Sequence, residues 1–127
     1  KYDNSSGGHF VHPTVFAKTN TDMSIVKEEI FGPVLCAQPF SDQDLDKIAD
    51  AANNTSFGLA ASVWSKDIST AHKLAGKIRA GTVWINCHNI FDASLPFGAY
   101  KESGWGREMG HEVLHAYTEL KAVTVNL

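Results

Sequence analysis

The sequence predicts an α/β fold: a parallel-type sheet with crossover helices, plus a C-terminal helix and a protruding C-terminal strand. Three observations carry this. Strand-like and helix-like segments alternate through the middle of the chain, a pattern that joins parallel strands by crossover helices. The strand-like segments are mostly continuous apolar runs, as in a sheet covered on both faces. The last eight residues, "LKAVTVNL", instead alternate, with Val123, Val125 and Leu127 on one face. Such a strand needs a sheet to join, in its own chain or in a neighbour.

The elements follow in order. "TVFAKT" (14–19) is rich in β-branched and aromatic residues and reads as a strand. Gly32–Pro33 punctuates the next stretch, so residues 28–31 belong to a loop or short turn, and "VLCAQPFS" (34–41) leaves it as a strand. In "DQDLDKIADAANN", Leu45, Ile48, Ala49 and Ala52 recur at helical spacing. Ser41 or Asp42 is placed to cap that helix, Asp44 and Asp46 sit near the positive end of its dipole, and Asn53 and Asn54 can end it. "LAASVWS" (59–65) is a short apolar strand. "KDISTAHKLAGKIRAG" puts Ile68, Ala71, Ala75 and Ile78 on one helical face, with Lys77 and Arg79 near its end and Gly81 as a stop. "TVWINC" (82–87) is the next strand. After the loop "HNIFDASLPFGAYKESG", "REMGHEVLHAY" brings Met109, Val113, Ala116 and Tyr117 near helical spacing.

Composition narrows the function classes. The 127 residues are 43% hydrophobic and 20% charged, compatible with one core-forming domain. A net charge of -3 gives no basic footprint for nucleic acid. No run approaches the roughly 18 apolar residues of a membrane helix. "KYDNSSGGHF" lacks the apolar stretch of a signal peptide, and its loop composition without a leading methionine looks like a piece of something longer. Cys36 and Cys87 suggest neither a disulfide framework nor a zinc spacing, so a reducing, cytoplasmic setting is expected. The six histidines are read as forming no metal-binding pattern, and no metal site is expected.

"SGWGREMG" (103–110) runs G-x-G-x-x-x-G, one residue longer than the dinucleotide fingerprint. A phosphate cradle needs a strand before it, a helix leaving it and an acid about 20 positions later. Upstream stand Pro96 and Gly98, a turn composition, and Glu112 and Glu119 come too soon. A cradle is therefore not expected here.

Three stretches taken together, "EEIFGPV" (28–34), "NNTSFGLAASVWSKD" (53–67) and "PFGAYKESGWGREMG" (96–110), resemble the NAD(P)-dependent aldehyde dehydrogenase superfamily. The resemblance covers essentially the whole chain. It implies the C-terminal part of a longer subunit: residues 1–115 as the C-terminal half of the catalytic domain and 116–127 as the oligomerisation strand. The implied reaction oxidises an aldehyde to a carboxylate. A cysteine thiolate attacks the aldehyde, hydride passes to NAD or NADP, and water activated by a glutamate hydrolyses the thioester. The segments carrying that cysteine and glutamate, and the cofactor domain, would lie outside this chain. No catalytic residue is assigned within it, and the isolated chain should be inactive.

By the same likeness Glu29 accepts hydrogen bonds from the two nicotinamide-ribose hydroxyls and Phe31 packs near the nicotinamide. A carboxylate can take two hydroxyl donors at once, and a flat ring offers a stacking surface. Spacing alone leaves Glu29 readable as a solvated loop acid and Phe31 as a core residue. Glu28 is read as structural, with Gly32 and Pro33 as turn devices. The loop "NCHNIFDASLPF" resembles the wall of the aldehyde tunnel, which makes Asn89, Phe91 and Phe97 the candidate substrate contacts and suits an aromatic or medium-chain aldehyde. Core packing is the competing reading for both phenylalanines.

Cys87 does not match the family's nucleophile and, like Cys36, is read as a small buried apolar residue. Ala99 stands where the family usually has a second glycine, so a left-handed backbone there would be strained. "SGWGREMG" resembles the family's closing loop: Ser103 is a turn or cap residue, Glu108 suits the first turn of the next helix, and Trp105 is assigned packing. The implied partners are the aldehyde and further copies of the subunit, as a dimer or tetramer through the C-terminal strand, with no nucleic acid or membrane. Arg107 and Glu119 are the charges placed for inter-subunit ion pairs, with solvated surface charge as the competing reading. The alternative to an enzyme segment is a stand-alone protein-interaction module without catalysis.

Overall fold

A computed structural model describes residues 2–3, 7–41 and 44–127. The chain divides into two compact units, Lys1–Thr55 and Ser56–Leu127.

In the first unit, β1 (Tyr2–Asp3) and β2 (Phe10–Val11) form a short antiparallel ladder. β3 (Thr14–Ala17) and β4 (Val34–Ala37) pair in parallel, Thr14 opposite Val34 and Ala17 opposite Ala37. The crossover between them carries α1 (Ser24–Lys27). The pair is fastened at both ends. The Thr14 N–H donates to the Pro33 carbonyl at 2.9 Å, and the N–H and hydroxyl of buried Thr19 both donate to the Ala37 carbonyl at 3.4 and 3.2 Å. The Cys36 thiol donates to the Ile25 carbonyl at 3.4 Å and ties α1 to β4.

α2 (Leu45–Asn53) buries Ala49 and ends at Asn54, as its asparagines predict. Its cap differs from expectation. Asp44 is the N-cap, and its carboxylate accepts from the Lys47 N–H at 3.1 Å. Ser41 precedes the helix by too many residues to do this, and Asp42 lies outside the described residues. The Lys47 backbone N–H, then its ammonium, hold the Asp44 carboxyl below the usual aspartate range.

In the second unit, β6 (Ala60–Val63) and β7 (Thr82–Ile85) pair in parallel, Ala60 opposite Thr82 and Val63 opposite Ile85. α3 (Ile68–Lys77) makes the crossover. Asp67 caps it, accepting from the Ser69 N–H at 3.0 Å and from the Thr70 hydroxyl. The helix stops at Ile78, three residues before Gly81. β5 (Phe57–Gly58) and β8 (Tyr100–Lys101), not anticipated as strands, form an antiparallel pair. Val63, Ala71, Trp84 and Ala99 are the buried apolar residues of this unit. Gly81 is needed for a close approach: a Cβ there would fall 1.7 Å from the Gly98 carbonyl oxygen.

The α/β character and the parallel pairs with helical crossovers match expectation. Several details do not. Among the described residues the strands form four two-stranded sheets rather than one. The sheet faces are not covered on both sides: Val15 and Leu35 remain 63% and 61% exposed, because the first unit supplies no second layer of its own to meet them. α4 (Val113–Tyr117) starts later than the periodicity suggests. Met109 and Gly110 take φ of 57° and 59°, which a right-handed helix cannot include. Glu108 is therefore outside the helix's first turn and pairs instead with Phe97. Residues 118–127 join no sheet and are exposed. Their alternation supplies an apolar face, but a strand needs a neighbour to complete its ladder. Ala99 is buried and is not among the left-handed residues, so the strain expected there does not arise.

Candidate active site

The segment bearing Glu29 and Phe31 hangs between α1 and β4. The Glu28 backbone N–H closes α1 by donating to the Ser24 carbonyl at 2.8 Å. Past it the chain leaves the helix. Phe31 takes φ 51°, a left-handed conformation uncommon for a bulky residue. A tight turn follows around Pro33, with the Val34 N–H donating to the Gly32 carbonyl at 2.7 Å, and β4 begins. The Glu29 side chain is exposed, and Phe31 is 90% exposed. Phe31 is thus not a core residue. An exposed carboxylate and an exposed flat ring, two residues apart on a loop fixed at both ends, form a surface that can accept hydroxyl donors and stack a planar group.

In the second unit, the loop of residues 86–97 leaves β7 under close control. Asn86 takes φ 55°, and its side-chain amide bonds both backbone groups of Ser65, accepting from the N–H and donating to the carbonyl, each at 2.9 Å. Asparagine tolerates the left-handed region, which gives a sequence signal that could have marked it. Asn89 is exposed at φ 57°. The Asp92 carboxylate accepts from the Ser94 N–H at 2.8 Å and the Ser94 hydroxyl at 2.7 Å, and these two bonds in that order hold its carboxyl below the usual range. Phe97 exchanges two backbone bonds with Glu108, both 2.7 Å. The Phe91 and Phe97 rings meet edge-on at 5.0 Å. Together with Trp84, Cys87, Leu95 and Met109 they line a mostly apolar cavity of about 250 Å³. Phe91, Phe97 and Asn89 therefore come from one ordered loop, with Phe91 and Phe97 in direct contact.

The glycine-rich stretch is an open loop. Ser103 accepts the Gly58 N–H at 3.0 Å, as a turn residue would. Trp105 stands between Gly104 at φ 121° and Gly106 at φ 86° and is 98% exposed, so the packing role assigned to it is wrong. Arg107 is engaged inside its own loop. Its guanidinium donates to the Ala99 and Gly106 carbonyls at 2.9 and 2.6 Å and lies 5.2 Å from the centre of the Tyr100 ring. Glu119 lies in the exposed tail. Cys36 and Cys87 are free thiols, half-buried rather than fully buried.

The histidines are not unpatterned: "HEVLH" (111–115) has the H-E-x-x-H spacing. On a continuous helix it would bring two imidazoles to one face. Here α4 starts at Val113, and only His115 of the pair is helical. Among the described residues no three His, Cys, Asp or Glu side chains gather to hold a metal ion. No helix among them is long and apolar enough to cross a membrane.

Residues 2–123 match the aldehyde dehydrogenase family. The chain is 52% identical over 120 residues to an aldehyde dehydrogenase of Agaricus bisporus, covering 94% of this chain and 24% of the relative. The NAD+ complex of an aldehyde dehydrogenase from Bacillus cereus matches it with a TM-score of 0.87 at 53% identity, over 94% of this chain and 24% of that one. An indole-3-acetaldehyde dehydrogenase bound to NAD+ matches with a TM-score of 0.91 at 41% identity, over 100% of this chain and 26% of that one. The chain spans about a quarter of the length of these relatives. With the match running through nearly all of its sequence, the chain belongs to the aldehyde dehydrogenase family.

Proposed function

We propose that this chain works within a longer cytoplasmic polypeptide that oxidises an aldehyde to a carboxylate with NAD(P)+. The relatives bound to NAD+ support that choice of cofactor class. Bound NAD(P)+ would accept the hydride. Glu29 would take the two hydroxyls of the nicotinamide ribose, and Phe31 would pack beside the nicotinamide. The observation that carries this reading is the exposure of Phe31 at φ 51° beside exposed Glu29, since a ring kept out of the core at a conformational cost is available to a ligand. Asn89, Phe91 and Phe97 would form part of the aldehyde wall. An aldehyde with an aromatic or medium-chain group suits these rings, and one similar protein is an indole-3-acetaldehyde dehydrogenase.

Residues 1–115 would be the C-terminal half of the catalytic domain. The tail, residues 116–127, would dock on another copy of the subunit, and the exposed Leu120, Val123, Val125 and Leu127 support that assignment. The isolated chain, without nucleophile or general base, would be inactive. The test is NADH formation by the full-length protein with a panel of aldehydes, repeated with Glu29→Gln. The variant should keep its fold and lose kcat or cofactor affinity by about tenfold, one charge-assisted bond's worth. Unchanged rate and unchanged cofactor affinity would remove Glu29 from the site.

A further inference from the structure

The loop that carries Asn89 and Phe91 rests on a support built around one buried indole. Trp84 is the third residue of β7 and only 9% exposed. Its Nε1–H donates to the Ile90 carbonyl at 2.7 Å. The His88 ring meets the indole edge-on at 5.2 Å and 70°, and the Phe91 ring does the same at 5.7 Å and 87°. His88 is itself braced, with Nδ1 lying 2.7 Å from the Ser62 hydroxyl on β6. The indole therefore engages the loop on both sides of Asn89: His88 before it, Ile90 and Phe91 after it. Asn89 takes φ 57°, a conformation that the surrounding structure must hold.

We propose that Trp84 is a positioning residue for the oxidation reaction. Its N–H and its two ring contacts fix the place of Asn89 and Phe91, and so set selectivity for aldehydes large enough to reach the Phe91 ring. The proposal rests on the reading of Asn89, Phe91 and Phe97 as the aldehyde wall. Tryptophan is the residue that can do this, because a phenylalanine of similar shape has no donor for the Ile90 carbonyl.

The experiment uses Trp84→Phe in the full-length enzyme, with benzaldehyde and acetaldehyde as the two probes. The variant keeps an aromatic ring in the core and removes the N–H. Releasing this part-buried hydrogen bond and loosening the ring contact should lower kcat/KM for benzaldehyde about tenfold, mainly through KM. Acetaldehyde, too small to reach the wall, should change less than about twofold, and the KM for NAD+ should not move. His88→Ala, at an exposed site that does not threaten folding, should shift the benzaldehyde-to-acetaldehyde ratio in the same direction by a smaller factor. It carries the test alone if Trp84→Phe does not fold. Both substrates falling in the same proportion, or an unchanged ratio in the variants, would overturn the proposal while leaving the wild-type activity standing. A wild-type protein that oxidises no aldehyde of the panel would overturn the functional reading and this inference with it.

Discussion

Two glycines five residues apart should respond to the same substitution with opposite signs. Gly76 lies in the last turn of α3, exposed, with nothing within 4 Å of where a Cβ would stand. Gly76→Ala should stabilise the protein by about 0.5–1 kcal/mol, because alanine restricts the unfolded chain and is the better helix former. Gly81 has no such room. Its Cβ would lie 1.7 Å from the Gly98 oxygen, 2.6 Å from the Gly98 carbonyl carbon and 3.1 Å from the Ala99 Cα, all backbone atoms that no rotamer change can move. Gly98 cannot retreat easily, since its own Cβ position is 2.5 Å from the Gly106 oxygen and 2.7 Å from the Arg107 Cδ. Gly81→Ala should therefore reach the upper end of overpacking costs, about 3 kcal/mol. Thermal unfolding would show the midpoint falling by about 10 °C for Gly81→Ala and rising by a few degrees for Gly76→Ala. The reasoning fails if the two variants shift in the same direction, or if Gly81→Ala stays within about 2 °C of wild type.

Further outcomes follow from other contacts. Asp44, Asp67 and Asp92 all have carboxyls held below the ordinary range by donors that need the anion, Asp67 by the Thr70 hydroxyl first and then the Ser69 N–H. Their contribution is complete above the unfolded aspartate pKa and is lost as pH falls below about 4. Asp67→Asn keeps an oxygen for the Ser69 N–H but cannot titrate, so its urea midpoint should fall less steeply than the wild type's on acidification. Parallel curves would exclude Asp67 from the acid response. Arg107→Met removes the donor to the Ala99 and Gly106 carbonyls and the cation over Tyr100, and should cost about 1–3 kcal/mol in chemical denaturation. A smaller loss than about 0.5 kcal/mol would mean that solvent replaces the guanidinium without penalty. The isolated 127-residue chain should self-associate in light scattering, because Val15, Leu35, Leu120 and Val123 leave apolar faces open. A stable monomer would count against those faces being interaction surfaces.

Local pattern made some of this molecule readable. Leu45, Ile48, Ala49 and Ala52 announce α2, and Ile68, Ala71 and Ala75 announce α3, because a helix's period is written within one segment. Gly32–Pro33 likewise placed Glu29 and Phe31 on a loop. What stayed hidden depends on residues far apart in sequence. The pairing of Phe57–Gly58 with Tyr100–Lys101 joins segments more than forty positions apart, and two residues carry no period. The exposure of Phe31 and Trp105 is set by left-handed backbone at Phe31, Gly104 and Gly106, which periodicity does not register. That Phe91 and Phe97 share one loop was legible, but their meeting in one cavity and the support beneath it were not. The Trp84 bond to Ile90 spans a turn that passes through Asn86, left-handed at φ 55° and tied to Ser65. The delayed start of α4 has the same origin, in the left-handed turn at Met109 and Gly110.

Trp105 has an optical consequence. An indole in full contact with water emits at longer wavelength than one in an apolar setting and is open to collisional quenchers. Trp84 is shielded, whereas Trp105 is presented by a glycine on either side. The chain thus carries its own gauge for the 103–107 loop: whatever covers Trp105 will shift its emission to the blue and protect it from iodide, while the light from Trp84 stays where it was. Subtracting the spectrum of Trp105→Phe isolates that signal from the third indole, Trp64.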